Sequence, residues 1–306
     1  MKQFVLLTGL LLSLNLNAEL INSFETDDCW IAIVENSEGK RSIVKQIKEP
    51  SADEQFLLVI DAVACSIAES LKIPVNQVTL ISPEVSYEGK TFPDRPASLH
   101  TLAPGVAAEE KLPWPEFTLH QKLRKKDSWK WEKWGPLTEE ETGLTPEVIH
   151  HMSLHPDLAA MAALDTYTGN ADRSNPNIFY DEKTNSFCGI DMAASFNSLL
   201  AKAACFQIDR IIKKEIIPNN LEIFALNRYR LALNALIQNY PSEVTCELLD
   251  RYAKHAGFYP GSVLYTQDVQ DRIAYHKKMI RQNYQDSLYL LNKMNSSEFL
   301  DILDSF

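Results

Sequence analysis

Two acids and an amide lie close together in the middle of the chain and are of the types that bind magnesium. Asp172, Asn177 and Asp191 belong to the stretch N-A-D-R-S-N-P-N-I-F and, after a charged turn, F-C-G-I-D. In phosphoryl transfer from ATP, one carboxylate faces the acceptor hydroxyl while an amide and a second carboxylate hold magnesium on the phosphates. Magnesium takes few protein ligands, all through oxygen. The three side chains therefore predict a phosphotransferase that uses ATP and Mg²⁺.

The elements expected around this stretch would bring the three side chains together. His155-Pro156-Asp157 places a proline at the start of a helix that should end near Gly169. After Asn177, apolar residues on both sides of the polar turn 181–185 predict a β-hairpin. The catalytic segment of a kinase-like C-terminal lobe has the same order of elements: a helix, a loop, a hairpin and then an aspartate, here Asp191 after Ile190.

The motif carried by these elements has a family resemblance. The pattern L-D-x-x-x-x-N-x-D-R-x-x-x-N, followed by I-D-x-x-x-S-F, resembles the catalytic and metal-binding loops of the phosphatidylinositol 3-/4-kinase-like family. HipA-like kinases are the related neighbour. The strong match covers residues 156–196, and a weaker match covers residues 30–105.

The resemblance assigns roles residue by residue. It implies that Asp172 and Arg173 are catalytic and that Asn177 and Asp191 are the magnesium ligands. This chain departs from the family pattern at Ser174, where members often have histidine, and after Asp191, where Met192 and Ala193 replace the usual glycine.

The segment 30–48 predicts a second hairpin, with N-S-E-G at 36–39 as its turn. The resemblance implies that this turn covers the phosphates and that Lys45, in I-V-K-Q, contacts them, with Lys48 as the alternative. An exposed strand lysine is the other interpretation of Lys45, since a V-x-K match is short.

A helix of about twenty residues should begin at Ser51, whose spacing to Glu54 is that of a capping box. Its apolar residues repeat at helical intervals and predict a buried side. The resemblance implies that a carboxylate of this helix orients the phosphate-binding lysine. Glu54 fits best by position and is included among the cofactor-binding residues, Asp61 lies two turns further on, and Glu54 could instead only cap its own helix.

A strand at 98–102 should lead into a linker at Ala103-Pro104-Gly105, because proline and glycine together interrupt regular structure. The resemblance implies that this linker joins two lobes and contacts the adenine, with Thr101 included in the cofactor-binding set. The expected fold is α+β and two-lobed, protein-kinase-like, with a small β-rich N-lobe at 19–105 and a mostly helical C-lobe at 106–306.

Residues 1–18 have the features of a secretory signal peptide, with Lys2 before the apolar run 4–14. We therefore expect an exported protein, and since ATP is scarce outside cells, a bacterial protein delivered into a host cell. The net charge of −11 argues against nucleic acid as a partner. The five cysteines show no C-x-x-C spacing, so there is no zinc signature.

The sequence leaves the acceptor open between a lipid headgroup and a protein hydroxyl. Three tryptophans at 129–134 beside basic residues at 122–126 could contact an anionic membrane surface or pack on the C-lobe. The activity also has alternatives: a HipA-like Ser/Thr protein kinase, a pseudokinase that only binds nucleotide or protein, or an enzyme that transfers AMP. A host protein is a further expected partner.

Overall fold

The computed structural model describes residues 18–26, 28–49, 51–81, 95–111, 144–173 and 175–304. The strands within these residues are β1 (Ala18–Glu25), β2 (Cys29–Asn36), β3 (Arg41–Ile47), β4 (Val78–Ile81), β5 (Ala97–Thr101), β6 (Val106–Ala107), β7 (Ile178–Asp181) and β8 (Ser186–Gly189). The helices are α1 (Ala52–Gln55), α2 (Leu57–Ser70), α3 (Ala108–Lys111), α4 (Pro146–Leu154), α5 (Pro156–Thr168), α6 (Leu200–Ile212), α7 (Asn220–Asn239), α8 (Ser242–His255), α9 (Gln267–Met294) and α10 (Ser297–Asp304), with a 3₁₀ turn at Asn175–Asn177.

The N-terminal lobe is an antiparallel sheet with strand order β1-β2-β3-β5-β4. The predicted hairpin is present as β2 and β3, and β1 adds a strand that the sequence analysis did not predict. Alternation along the strands gives the sheet two faces. One face carries Val34, Val44 and Ala97 in a small apolar cluster, and the opposite face carries Lys45 toward α2 and the helical lobe.

Helix α2 packs across the sheet and continues α1 after a single break at Phe56. The apolar side predicted from the sequence is fully buried and consists of Phe56, Ile60, Val63, Ala64 and Ile67. Burying a large aliphatic or aromatic side chain of this kind contributes roughly 1.5–3 kcal/mol, so this side fixes α2 on the sheet. The predicted capping box is wrong, because the Ser51 side chain makes no cap hydrogen bond.

The helical lobe is built around α5, which packs against α7 and α9. Its boundaries agree with the prediction, since Pro156 occupies the first turn and Gly169 ends the helix in a left-handed conformation with φ of 65°. Buried hydrogen bonds also join the helices, such as the one from the Tyr229 hydroxyl of α7 to Thr166 Oγ1 at 2.8 Å. The predicted hairpin after α5 is present as β7 and β8.

The two lobes meet at the predicted linker, where the chain passes from β5 to β6. Gly105 has φ of +84°, and a Cβ atom at this position would lie 1.9 Å from the Tyr180 carbonyl oxygen. Only glycine fits this close approach of backbones. The prediction of a two-lobed α+β fold, with a small sheet and one long helix beside a mostly helical lobe, is confirmed. None of the helices in the described ranges has the length and apolar character needed to cross a membrane.

Candidate active site between the lobes

Lys45 and Asp191 join the sheet to the helical lobe. Lys45 Nζ lies 3.2 Å from Asp191 Oδ1, and the two side chains are 15% and 38% exposed. The pair therefore lies where the sheet meets the helical lobe, partly open to solvent and not deep in the core. The sequence placed these residues 146 positions apart, and the fold brings them together as the resemblance implied.

Both members of this pair stay charged. Burial lowers the pKa of Lys45, but the Asp191 and Asp61 carboxylates raise it, and the net pKa is above its ordinary value. The Lys45 ammonium lowers the pKa of Asp191 against the opposing effect of burial. A fixed cation beside a fixed carboxylate is what phosphate oxygens and a divalent cation require.

Asp191 also has an unusual backbone conformation, with φ of +54°. Left-handed backbone is uncommon outside glycine, and Asp is among the residues that tolerate it best. Such conformations cluster at functional sites, because the surrounding structure must hold them in place. The Met192 N–H that follows is held by Asp61 Oδ1 at 3.0 Å.

The loop that carries Asp172 and Asn177 is tied to the segment before Asp191. Asn177 Nδ2 donates to the Asp172 carbonyl oxygen at 2.7 Å, and the Asn177 carbonyl oxygen accepts from Ile190 N at 3.0 Å. Asn170 Oδ1 accepts from Asp172 N at 3.1 Å. These bonds hold the loop of Asp172 and Asn177 against Ile190, the residue before Asp191, although Asn177 and Asp191 are fourteen positions apart in the chain.

Arg173, which the resemblance assigned to catalysis, is instead a buried structural residue. Its guanidinium is fully buried and binds both oxygens of Asp165 at 3.0 Å each. It also donates to the carbonyl oxygens of Asn177 at 3.1 Å and Ile190 at 2.9 Å. A planar guanidinium can satisfy two carbonyls and a bidentate carboxylate together, which an ammonium cannot. Arg173 thus holds the two loops on α5 and has no exposed surface for a substrate.

Glu54 does not have the role that the resemblance assigned to it, and Asp61 is the acid of this helical segment whose charge acts on Lys45. Glu54 lies in α1, where its carboxylate is 3.3 Å from Arg272 Nη2 of α9. Asp61 is fully buried in α2 and raises the pKa of Lys45.

A buried histidine completes the surroundings of Asp61. His100 Nε2 lies 4.0 Å from Asp61 Oδ2, an oxygen with no hydrogen-bond partner among the described residues. His100 accepts from Asn76 Nδ2 at 3.1 Å and bonds to Ser98 Oγ at 2.7 Å, which assigns its proton to Nε2. Burial lowers the pKa of His100 despite the nearby Asp61, so the ring is neutral at pH 7.

The two remaining nucleotide candidates make other contacts. Lys48, the alternative to Lys45, is 2.9 Å from Glu25 Oε2 and 2.6 Å from the Thr26 carbonyl oxygen, and no contact of Lys48 with Asp191 is found among the described residues. Thr101 ends β5 at the linker, and its Oγ1 accepts from Gln77 N at 2.9 Å. A direct contact of Thr101 with nucleotide stays a prediction.

The turn expected to cover the phosphates is also corrected. In the β2–β3 register, Lys45 pairs with Ile31 and Cys29 pairs with Ile47. Lys45 is therefore two residues, about 7 Å, from the end of the sheet where β1 turns into β2. The predicted turn at 36–39 lies at the opposite end, beyond Arg41. The β1–β2 turn is the one nearer to the Lys45–Asp191 pair.

The oxygen atoms at this site fit magnesium. Asn177 uses its Nδ2 in the bond to Asp172, so its amide oxygen is the end left for a cation. Asp191 supplies a charged carboxylate, and hard oxygen donors of this kind suit Mg²⁺. The described residues contain no cluster of three or more His, Cys, Asp or Glu side chains that could hold a metal. A site with one amide, one carboxylate and phosphate oxygens needs no such cluster.

The sequence analysis missed His100, which lies beside Asp61, and Arg272, which binds α1 outside the site. His100 gave no signal of its own, since a lone histidine in a strand is most often a core residue. The importance of Asp61 does have a signal, because it is the only charged residue within the apolar stretch 56–68. A buried acid in a helix of that kind needs a partner elsewhere in the fold.

Other predicted features lie outside the described residues. These are the signal peptide, except for Ala18, which begins β1, together with Ser174 and the tryptophan-rich and basic segments at 122–134.

Comparison with known proteins finds similarity in structure only. No family model and no curated sequence matches the chain. The fold is similar to the Helicobacter pylori proinflammatory kinase CtkA, with 13% identity over 89% of this chain and 96% of that chain and a TM-score of 0.44. It is also similar to the Golgi casein kinase with Mn/ADP bound, with 10% identity over 92% and 75% and a TM-score of 0.43. For the Rio2 kinase from Chaetomium thermophilum, the identity is 9% over 85% and 71%, and the TM-score is 0.37.

Proposed function

We propose that this chain is an ATP- and Mg²⁺-dependent phosphotransferase with a hydroxyl group as acceptor. The observation that carries the proposal is the Lys45–Asp191 pair at 3.2 Å, next to a loop in which Asn177 is bonded to both Asp172 and Ile190. This combination supplies one cation, one metal-binding carboxylate, one amide oxygen and one further carboxylate in a single cleft. Phosphoryl transfer depends mostly on such positioning and charge neutralisation.

Each residue has a distinct role in the proposal. Lys45 binds phosphate oxygens, and Asp61 keeps its ammonium oriented. Asn177 and Asp191 would hold magnesium, which, when bound, neutralises charge that develops on the transferred phosphoryl group. Asp172 aligns the acceptor hydroxyl and receives its proton as the hydroxyl oxygen bonds to the γ-phosphorus and the bond from that phosphorus to the bridging oxygen breaks, so that ADP leaves.

The cleft face of the sheet supports a nucleotide on the same side as Lys45. Ile31, Ile33 and Ile43 are only partly buried and alternate with the residues of the back face. Apolar side chains in this position can cover an adenine ring, and the linker that begins after Thr101 supplies backbone groups for its edge.

Replacement of Asp191 tests the proposal. Asp191→Asn should keep the fold and reduce transfer by about a thousandfold, because a neutral amide binds the divalent cation poorly and no longer pairs with Lys45. The measurement is release of labelled phosphate from ATP and its transfer to an acceptor, with circular dichroism as the control for folding. Arg41→Ala is a matched control, since it removes an exposed ion pair with Glu35 on the same sheet. Turnover of Asp191→Asn comparable with wild type would refute the role of Asp191.

Nucleotide binding without transfer is the alternative outcome. A thermal-shift titration of wild-type protein with MgATP, followed by the labelled-phosphate assay, separates an enzyme from a pseudokinase. The intact mass of the product distinguishes phosphoryl transfer from AMP transfer, because the added groups differ in mass.

For the acceptor, we favour an unphosphorylated lipid headgroup or a protein hydroxyl. In the family that the motif resembles, phosphatidylinositol 3-/4-kinases, basic residues after the metal aspartate contact headgroup phosphates. Here the only Lys or Arg from Asp191 to Lys202 is Lys202 itself, which is exposed. Labelled ATP offered in parallel to phosphatidylinositol vesicles, to bisphosphorylated phosphoinositide vesicles and to host-cell lysate tests this choice. Transfer to the bisphosphorylated lipid alone would contradict it.

The cellular location is a separate proposal. The charge and length of residues 1–18 support export, and a host cell supplies the ATP that the reaction needs. Fractionation of the producing cells tests it. Retention of the whole protein in the bacterial cytosol, with residues 1–18 intact, would contradict export.

A further inference from the structure

Helix α9 contacts both sides of the candidate active site from outside it. Arg272 Nη2 lies 3.0 Å from Asp53 Oδ2 and 3.3 Å from Glu54 Oε1, both in α1. One turn later, His276 Nδ1 donates to the Phe196 carbonyl oxygen at 3.2 Å. The Arg272 side chain is 9% exposed, and His276 is 1% exposed. One turn of α9 thus contacts the N-terminal lobe and the segment after Asp191 together.

The contact with α1 leads directly to the site. Phe56 alone separates α1 from α2, and the His276 ring stacks on it with centroids 6.1 Å apart and planes 26° apart. Five residues further along α2, Asp61 holds Met192 N. A shift of α1 away from α9 would therefore carry Asp61 away from both Lys45 and the backbone after Asp191.

The contact with Phe196 links α9 directly to the segment that follows Asp191. The metal loop, residues 190–199, is bonded to the end of α5 through Phe196 N to the Thr168 carbonyl oxygen and Ser198 N to the Gly169 carbonyl oxygen. On its other side the Tyr275 hydroxyl of α9 donates to Asn197 Oδ1 at 3.3 Å. The loop is therefore held between α5 and α9.

We propose that α9 is a strut that holds α2 and the metal loop in a single arrangement, with Arg272 and His276 as positioning residues. The expected effect on MgATP binding rests on the proposed function, whereas the expected movement of α2 does not. Arg272 Nη2 makes both carboxylate contacts, and a guanidinium suits this position, where the side chain is only 9% exposed, because it is always charged and more weakly hydrated than the lysine ammonium. If the strut is released, a smaller fraction of molecules is competent to bind MgATP, and the apparent dissociation constant rises by the inverse of that fraction.

Buried cysteines supply a readout that does not require activity. Cys65 lies in α2, is 1% exposed and bonds to Asp61 at 3.4 Å, whereas Cys188 lies in β8 of the other lobe and is 8% exposed. In Arg272→Ala, release of α2 should raise the rate at which N-ethylmaleimide labels Cys65 by about fivefold, with Cys188 unchanged. Peptide mass spectrometry of the full chain measures each rate.

Arg281→Ala is the matched control on the same helix. Arg281 also makes two hydrogen bonds, at 2.9 and 3.1 Å, but to the single carboxylate of Glu243 in α8, within the helical lobe and exposed to solvent. We expect Cys65 labelling in this variant to stay at the wild-type rate, and Arg272→Lys to lie between wild type and Arg272→Ala. Unchanged Cys65 labelling in Arg272→Ala, or an equal rise at Cys65 and Cys188, would overturn the strut.

His276→Phe tests the second contact, because phenylalanine keeps the ring against Phe56 and removes the donor to Phe196. We expect a KM for MgATP about fivefold higher with kcat nearly unchanged in both Arg272→Ala and His276→Phe. If both variants have a lower melting temperature but an unchanged KM, Arg272 and His276 stabilise the fold without positioning the site, and the proposal fails. Faster labelling of Cys65 alone in Arg272→Ala, together with no phosphotransfer by the wild-type protein, would refute the proposed function and leave the strut standing.

Discussion

Arg173 offers the sharpest test of the corrected site, because a catalytic role and a structural role predict opposite results. The side chain is fully buried and makes two bonds to Asp165 and two to backbone carbonyls. Arg173→Met keeps most of the volume and removes all four. Asp165 would then be a buried carboxylate with one remaining donor, Asn170 Nδ2 at 3.1 Å.

The magnitude follows from the cost of an unpaired buried charge. Breaking a buried ion pair by removing one partner costs roughly 3–5 kcal/mol. For a domain of this size, 1 kcal/mol shifts the melting temperature by about 2–4 °C, so Arg173→Met should lower it by about 10 °C. This is a large part of the total, since native proteins are stable by only about 5–15 kcal/mol.

A double-mutant cycle shows whether the unpaired acid is the cause. Asp165→Leu combined with Arg173→Met removes both charges and should recover most of the stability, because an apolar pair of similar volume can replace a buried ion pair. Calorimetry and urea unfolding, followed by circular dichroism, measure all four proteins. Arg173→Met with a wild-type melting temperature and no phosphotransfer would refute the structural role and restore the catalytic one.

Three further predictions concern other buried positions. Asp61→Asn should lower kcat/KM for MgATP by about tenfold or more. The stability of the protein should be unchanged or higher, because the substitution removes a buried carboxylate whose Oδ2 has no hydrogen-bond partner among the described residues. Steady-state kinetics and a thermal shift measure the two effects, and unchanged kinetics would contradict the prediction. Burial lowers the pKa of His276 to about 4. Between pH 6.5 and 4, His276 is therefore protonated in the unfolded chain but neutral in the folded chain. Stability should fall by about 3 kcal/mol as the pH drops from 6.5 to 4, and His276→Phe should show a smaller loss over that range in urea unfolding. Gly169→Ala should lower the free energy of unfolding by well over about 1 kcal/mol, since its Cβ would lie 2.1 Å from the Ser198 carbonyl oxygen. Gly39→Ala has open space around the new Cβ and should lower it by only about 1 kcal/mol. Equal losses in melting temperature would contradict this difference.

The fold class could be predicted because the local signals agree with one another. The proline at 156 and the glycine at 169 mark the ends of α5, and the apolar side of α2 repeats at helical spacing. The order of helix, loop and hairpin then restricts the chain to a few arrangements. The strand β1 was not predicted, because it has no turn residues that separate it clearly from the apolar segment before it.

Residue types and spacing by themselves determined the helix, loop and hairpin that carry Asp172, Asn177 and Asp191, because local signals set local elements. That the three side chains share one site stays a prediction, and the structure adds the contact of Lys45 with Asp191. Only the tertiary structure decided that the charge of Asp61 and not that of Glu54 acts on Lys45, that Arg173 is buried on Asp165, and that Arg272 of a distant helix binds α1. Those choices depend on which side of a helix meets which neighbour and on where a charge finds its partner, and neither is encoded in the spacing of residues along the chain.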